Sequence, residues 1–256
     1  MSLAAAYIFG RNQGVDPLQA LKDLCVLAFN ADTSGYLGTS YTPEVGSGNL
    51  VRTQTAQTTG IVGEALNVVN VSNNALQADS TLNSYSPLFF KNNDNTDKSY
   101  TLSYWVKISN LNQQYFFHNR LVTPRAGYFQ LLNTGNVFQA VEQCVVGGSI
   151  KTLSTFFNIN TTILPLNQWN HILIKFDGIN NVHSLRINNN NITVSSISDD
   201  GYTNKNMGEN LIVIGASNSI GTPLQGAIDA IHAFNGIIGI DQDDILYNNG
   251  NGVQLF

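Results

Sequence analysis

From about Gly60 to Phe234, short apolar segments of strand length alternate with clusters of Asn, Asp, Gly, Ser and Thr. The segments are EALNVVNV, SYTLSYWVKI, QQYFFHNRLV, GYFQLLN, NVFQAVEQCVV, STFFNINT, NHILIKFDG, HSLRINN, NITVSSI, NLIVIGA and GAIDAIHAF. Polar runs such as FKNNDNTDK, NNNN, SDDGYTNKN and SNSIGTP separate many of them. A period of two is visible where Thr101, Ser103 and Trp105 alternate with Leu102, Tyr104 and Val106. Asp177-Gly178 reads as a turn between two strands. Many short strands with regular turns and almost no helix predict a two-sheet sandwich or a barrel.

The two ends follow a different pattern. Residues 1–15 show no period. Asp16-Pro17 then opens a helix, since Asp suits the N-cap and Pro the first helical position. PLQALKDL places Leu18, Leu21 and Leu24 on one side, and CVLAF after it reads as a buried strand. The Gly-, Ser- and Thr-rich stretch after Phe29 reads as loops with edge strands. At the other end, Ile240 to Asn249 reads as a short helix, with Asp241 as cap, Asp244 at the third position and Ile240 stapled onto Ile245. Gly250 is placed to stop it. The expected organisation is an arm with a short helix over residues 1–23, for docking or oligomerisation, and a sandwich over residues 24–256.

Composition narrows the function. Apolar residues make up 43% of the chain, enough for a large core, whereas charged residues make up only 11%, against about 25% in an ordinary soluble domain. Asn, about one residue in eight, supplies much of the missing polarity. A neutral surface rich in amides and hydroxyls suits close subunit packing or uncharged ligands such as sugars. The net charge is −5 and the basic residues are scattered, so no nucleic-acid partner is expected. No apolar run approaches the ~20 residues that span a bilayer, so no membrane insertion is expected. The start, MSLAAAYIFGRNQG, lacks a basic leader and is read as no signal peptide. Cys25 and Cys144 lie in apolar contexts and read as buried free thiols.

The order of local motifs carries a resemblance. LAFNADTSG gives a first strand ending in Phe-Asn before a loop; GIVGEALNV, SYTLSYWVK and LNQWNHILIKFDG follow. SLRINN, IVIGAS, GAIDAIHAFN and DDILYNNGNG close the series. In this order they resemble the laminin-G-like members of the concanavalin A-like lectin and glucanase superfamily, of the kind found in tailed-phage virion proteins. The resemblance implies an all-β fold: a two-sheet antiparallel jelly-roll sandwich with a short N-terminal and a short C-terminal helix. Trp105 and Trp169 are expected in its core, and Gly63 and Gly178 are expected to relieve tight turns.

Glucanases on this fold carry Glu-x-Asp-x-x-Glu on one strand, which sets acid and nucleophile on one face. The four glutamates here, Glu44, Glu64, Glu142 and Glu209, are isolated. Asp199-Asp200 reads as a turn, and Asp243-Asp244 as a helix start that meets the dipole. His118, His171, His183 and His232 share no metal-ligand spacing, and His171 and His232 read as satisfied structural histidines. No enzymatic activity is expected, and glycoside hydrolysis is the least favoured alternative.

No cofactor is expected. A structural calcium is the one metal alternative: relatives bind it through loop oxygens, and Asp32 and Asp229 are the matching carboxylates. Glycan binding, the family's common recognition role, requires exposed aromatics, and Tyr36, Tyr41, Tyr115 and Tyr202 are the candidates. The resemblance implies a virion structural or accessory protein, a capsid decoration or tail appendage assembled in the host cytoplasm. Its partners would be other virion proteins or copies of itself, and a cell-surface glycan. A lectin-like module is the alternative.

Overall fold

The computed structural model describes residues 16–30, 40–41, 43–45, 50–53, 56–68, 75–78, 99–120, 127–132, 136–203, 211–215 and 223–256. Helix α1 (Pro17–Leu24) leads into β1 (Cys25–Phe29). The short strands β2 (Ser40–Tyr41), β3 (Leu50–Thr53), β4 (Ala56–Thr59), β5 (Glu64–Val68) and β6 (Ala75–Ala78) follow. The body comprises β7 (Tyr100–Ile108), β8 (Gln114–Arg120), β9 (Gly127–Leu132), β10 (Val137–Val146), β11 (Ser149–Asn158) and β12 (Asn170–Asp177). Then come β13 (Val182–Ile187), β14 (Asn190–Ile192), β15 (Val194–Asp199), β16 (Leu211–Ile214), β17 (Gly226–Asn235) and helix α2 (Ile240–Tyr247).

Every described pairing is antiparallel. Sheet A runs β14-β13-β12-β7-β17-β5-β4, with β1 also pairing β17; sheet B runs β15-β11-β10-β9-β8-β16-β6-β3-β2. The predicted segment NITVSSI does not form one strand. It splits into β14 and β15, and the chain passes from the edge of one sheet to the edge of the other at Thr193.

Period two decides what lies between the sheets. Tyr100, Leu102, Tyr104, Val106 and Ile108 point inward from β7, and Phe129, Leu131, Phe138, Ala140, Leu153 and Phe157 face them from sheet B. The Tyr104 ring meets Phe116 across the gap at 5.9 Å, and Phe116 stacks on Phe138 at 5.6 Å. Within this apolar layer sits a polar group of four side chains. Glu142 accepts from the Tyr100 hydroxyl and lies 3.3 Å from His183 Nε2, while His183 Nδ1 is 3.0 Å from Thr155 Oγ1. Burial raises the Glu142 carboxyl, opposed by its bonds to His183 and Tyr100.

A second core lies on the outside of sheet A. Leu21 of α1, Leu246 of α2 and Leu255 close over Ala28, Leu173 and Phe234. Both helices therefore cover sheet A, and among the described residues no helix covers the outer face of sheet B. The Asp16 side chain accepts from Leu18 N at 3.0 Å and Pro17 opens α1, as predicted. At α2 the cap is Gly239, not Asp241, and Gln242 Oε1 accepts from Gly239 N at 2.8 Å. Ile240 is 56% exposed and staples nothing, and the helix stops at Asn248 (φ 46°), before Gly250.

The Asn-rich composition has a backbone use. Asn136, Asn167, Asn181, Asn188, Asn189, Asn248 and Asn249 all adopt positive φ, the region Asn tolerates better than other side-chain-bearing residues. Gly63 takes the left-handed conformation as expected (φ 61°), but in the Asp177-Gly178 turn that position is Asn181 (φ 55°).

Candidate functional site

The two outer faces differ. On sheet A the odd residues of β7 point outward, so Trp105 lies outside the inter-sheet core expected for it. It is only 2% exposed because α2 covers it: its ring stacks on Tyr247 at 5.9 Å and 8°, beside His171 at 5.1 Å. Trp169 sits half-buried in the turn before β12 and is not a core residue.

Asp229 stands opposite Trp105 on β17 and is fully buried. Its Oδ2 accepts from Ile61 N at 2.9 Å and Val62 N at 3.1 Å, and its Oδ1 from Ala230 N at 2.8 Å. Ala230 is held at φ 44° in a bulge that shifts the β17–β7 register. A side chain at Gly60 would place Cβ 2.4 Å from Asp229 Oδ2, and one at Gly226 would meet Lys107 O at 1.9 Å. The two glycine motifs thus form one joint, with the carboxylate pinning the 60–63 loop. N–H donors around both oxygens have the polarity opposite to a cation cradle, so Asp229 does not fit a calcium site. Asp32 lies outside the described residues. Among the described residues no group of three or more His, Cys, Asp or Glu side chains is placed to hold a metal.

The remaining polar groups on this face fasten α2. Lys175 Nζ and Arg186 Nη1 each lie 2.7 Å from Asp243 Oδ2, and Lys175 also donates to Ile238 O at 2.9 Å. Asp243 is therefore a buried ion-pair partner, not the dipole partner expected from its place at the helix start. Burial raises its carboxyl, and both cations act against that shift. His171 Nε2 meets Ser103 Oγ at 2.8 Å, whereas His232 Nε2 has no hydrogen-bond partner. His171 is thus satisfied as expected and His232 only in part, through the Ala230 backbone. Desolvation lowers these histidines to about 3 and about 4. Ser103 and His171 are 1% and 2% exposed, so this pair meets no substrate.

Among the described residues no helix lies over the outer face of sheet B, yet its central side chains are buried, with Gln130 4%, Gln139 8% and Ser154 8% exposed. The registers set Ser196, Phe156, Gln139, Gln130 and Tyr115 in one row across β15, β11, β10, β9 and β8. Gln130 Nε2 donates to Gln139 Oε1 at 2.6 Å, and Gln139 Nε2 to Ser154 Oγ at 3.3 Å. One step along the strands, Gln143 Nε2 donates to Thr152 Oγ1 at 3.2 Å. The acceptors Gln130 Oε1 and Gln143 Oε1 are buried and have no hydrogen-bond donor, a deficit that an enclosed water can meet. Phe156 and Tyr115 are half-buried and bracket the amides. Three inter-strand steps of about 4.8 Å separate them, roughly 14 Å in all.

Of the tyrosines singled out, Tyr115 lies in this row, with its ring edge-on to His118 at 5.6 Å. Tyr202 is 4% exposed, packed edge-on against Phe176 at 6.3 Å, and so has no free stacking face. Tyr36 lies outside the described residues; Tyr41 ends β2, and its side chain also lies outside them. Phe156 was missed, although alternation with the buried Phe157 marks it as outward-facing. Glu142 is buried between the sheets, Glu44 accepts from Asn30 and Glu64 from Gln57; Glu209 lies outside the described residues. Asp199 accepts from Gly201 N and Tyr202 N, the turn role expected of it.

Known structures share this architecture. The botulinum neurotoxin serotype D ligand-binding domain, solved with N-acetylneuraminic acid, aligns with a TM-score of 0.62 at 14% identity, over 91% of this chain and 52% of that one. The receptor-binding domain of the mosaic serotype C/D toxin, with tetraethylene glycol on its Hcn sub-domain, gives 0.59 at 14% identity over 89% and 51%. The binding domain of Paraclostridial Mosquitocidal Protein 1 gives 0.56 at 14% identity over 90% and 53%. The chain spans about half the length of these structures. No curated protein matches its sequence. The profile described as the concanavalin A-like lectin/glucanases superfamily matches residues 81–241, more than half of the chain. The chain belongs to that superfamily.

Proposed function

We propose that this chain is a non-enzymatic glycan-recognition module, and that the outer face of sheet B is its binding surface. The row Ser196–Phe156–Gln139–Gln130–Tyr115 carries this reading. Two aromatic faces bracket a band of amides and hydroxyls, the chemistry that stacks on a pyranose and bonds its hydroxyls. The described members of the row are uncharged, which favours neutral sugars. A neighbour in fold that carries N-acetylneuraminic acid supports glycan recognition as a use of this architecture. The position of Glu142, fully buried between the sheets, supports a binding role over hydrolysis. The setting we propose is a phage particle, with the module displayed as capsid decoration or tail appendage; the low charge and the apolar arm of residues 1–15 support that setting.

A glycan array followed by titration of the best ligand tests the proposal. Phe156→Ala and Tyr115→Ala are expected to weaken binding about tenfold each, the loss of one stacking face, with the bound glycan recovered uncut. Unchanged affinity in both variants, or cleavage of the glycan, would overturn it.

A further inference from the structure

One end of sheet A carries an apolar cluster that the described residues leave exposed. Ile179 is 77% exposed and Val182 44% exposed in the β12–β13 turn, and Ile237 and Ile240 are 46% and 56% exposed before and at the start of α2. Ser99 ties the two loops together: its Oγ accepts from Gly178 N at 3.1 Å, and its backbone oxygen accepts from Gly236 N at 3.1 Å. Four branched aliphatic side chains so placed on adjacent loops are more than scattered surface residues.

The charges beside them select the partner. Lys175 and Arg186 are committed to Asp243 and largely buried, Arg186 also lying 3.6 Å from the 55% exposed Asp244, whereas Asp241 is exposed. An apolar surface with an acidic border repels an anionic membrane and fits an apolar segment that carries a cation. This sequence contains such a segment. Leu3 to Phe9 reads LAAAYIF, Arg11 follows, and no acidic residue precedes Asp16. Its root lies nearby: α1 begins at Pro17 and packs in the outer core with Ile238, the buried residue between Ile237 and Ile240. Fifteen residues reach at most about 50 Å when extended.

We infer that the apolar end of sheet A is the docking site for the N-terminal arm of a second copy of this chain. The root of the arm and the patch belong to the same side of one molecule, so two copies can exchange arms reciprocally and close a dimer. Sheet B takes no part in it, and glycan binding is expected to persist in every variant below.

Sedimentation velocity over a wide concentration range tests the contact with three forms of the chain. The full chain is expected to associate as its concentration rises. A form lacking residues 2–15, and the double variant Ile179→Asn with Ile240→Ser, are each expected to remain monomeric with an unchanged melting temperature. Mixing the two monomeric forms restores one intact arm and one intact patch, and a one-to-one complex is expected. A full chain that is monomeric throughout, or two variants that fail to complement, would overturn the inference. So would capture of the full chain by neutral phosphatidylcholine vesicles that the Ile179 variant abolishes.

Discussion

Asp229 shows how a short motif becomes a structural joint. Its carboxylate bonds backbone N–H groups of Ile61 and Val62, more than 160 positions away in sequence, as well as its own neighbour. Hydrogen bonds to a charged acceptor contribute about 1.5–3 kcal/mol each, and the donors left behind by truncation are poorly solvated. Asp229→Ala is therefore expected to destabilise the fold by about 3 kcal/mol in urea unfolding. A chelator is expected to leave the melting temperature unchanged; a calcium-dependent rise would show that a cation, and not the 60–63 loop, is the partner of this carboxylate. The Gly-x-Ile-Asp segment was legible as a strand from its apolar run of strand length. Its role was not, because the loop it pins is brought to it only by the fold. Phe156 was legible in principle: Phe157 is buried, so its neighbour on the strand faces out.

The element whose position matters most is α2. A helix at the C-terminal end was legible from the pattern of Ile240 to Asn249, but its fastening was not, since Lys175 and Arg186 come from β12 and β13. Asp243→Asn leaves both cations without their partner and is expected to cost about 3 kcal/mol, with a loss of protection over Trp105 that its fluorescence reports. A change below 1 kcal/mol would mean that apolar packing of Leu246 alone holds the helix. The same layer sets the acid sensitivity. His171 and His232 are neutral in the folded chain, lowered by burial to about 3 and about 4, while the unfolded chain takes up protons below about 6.5. Their contribution is complete above pH ~6.5 and is lost as the pH falls toward 4, at about 1.4 kcal/mol per pH unit for each histidine. Stability measured at pH 7, 6 and 5 is expected to fall more steeply in the wild type than in His232→Gln; parallel curves would contradict this.

At the scale of the whole molecule, the two sheets have divided roles. Sheet A is overlaid by α1, α2 and the final residues, which turns its Trp, His and Asp side chains into packing and anchoring groups. Sheet B has no such helical layer among the described residues, and the half-buried Phe156 and Tyr115 flank amides that are themselves buried. Periodicity and turn chemistry, which act locally, predicted many short strands in a sandwich or a barrel, and the resemblance implied the two-sheet jelly-roll. Which face the helices cover is set by the apolar cluster that brings Leu21 and Leu246 together, far apart along the chain. For the same reason Trp105, correctly read as buried, was assigned to the wrong side of its sheet. The most direct test of the account is to titrate isotopically labelled protein with neutral and with sialylated oligosaccharides and to map the amide shifts. The account predicts perturbations along Tyr115, Gln130, Gln139, Ser154, Phe156 and Ser196 with a neutral sugar, and none around Trp105, His171 and Tyr247. Shifts confined to the helix-covered side of sheet A, or no shift with any sugar, would contradict it.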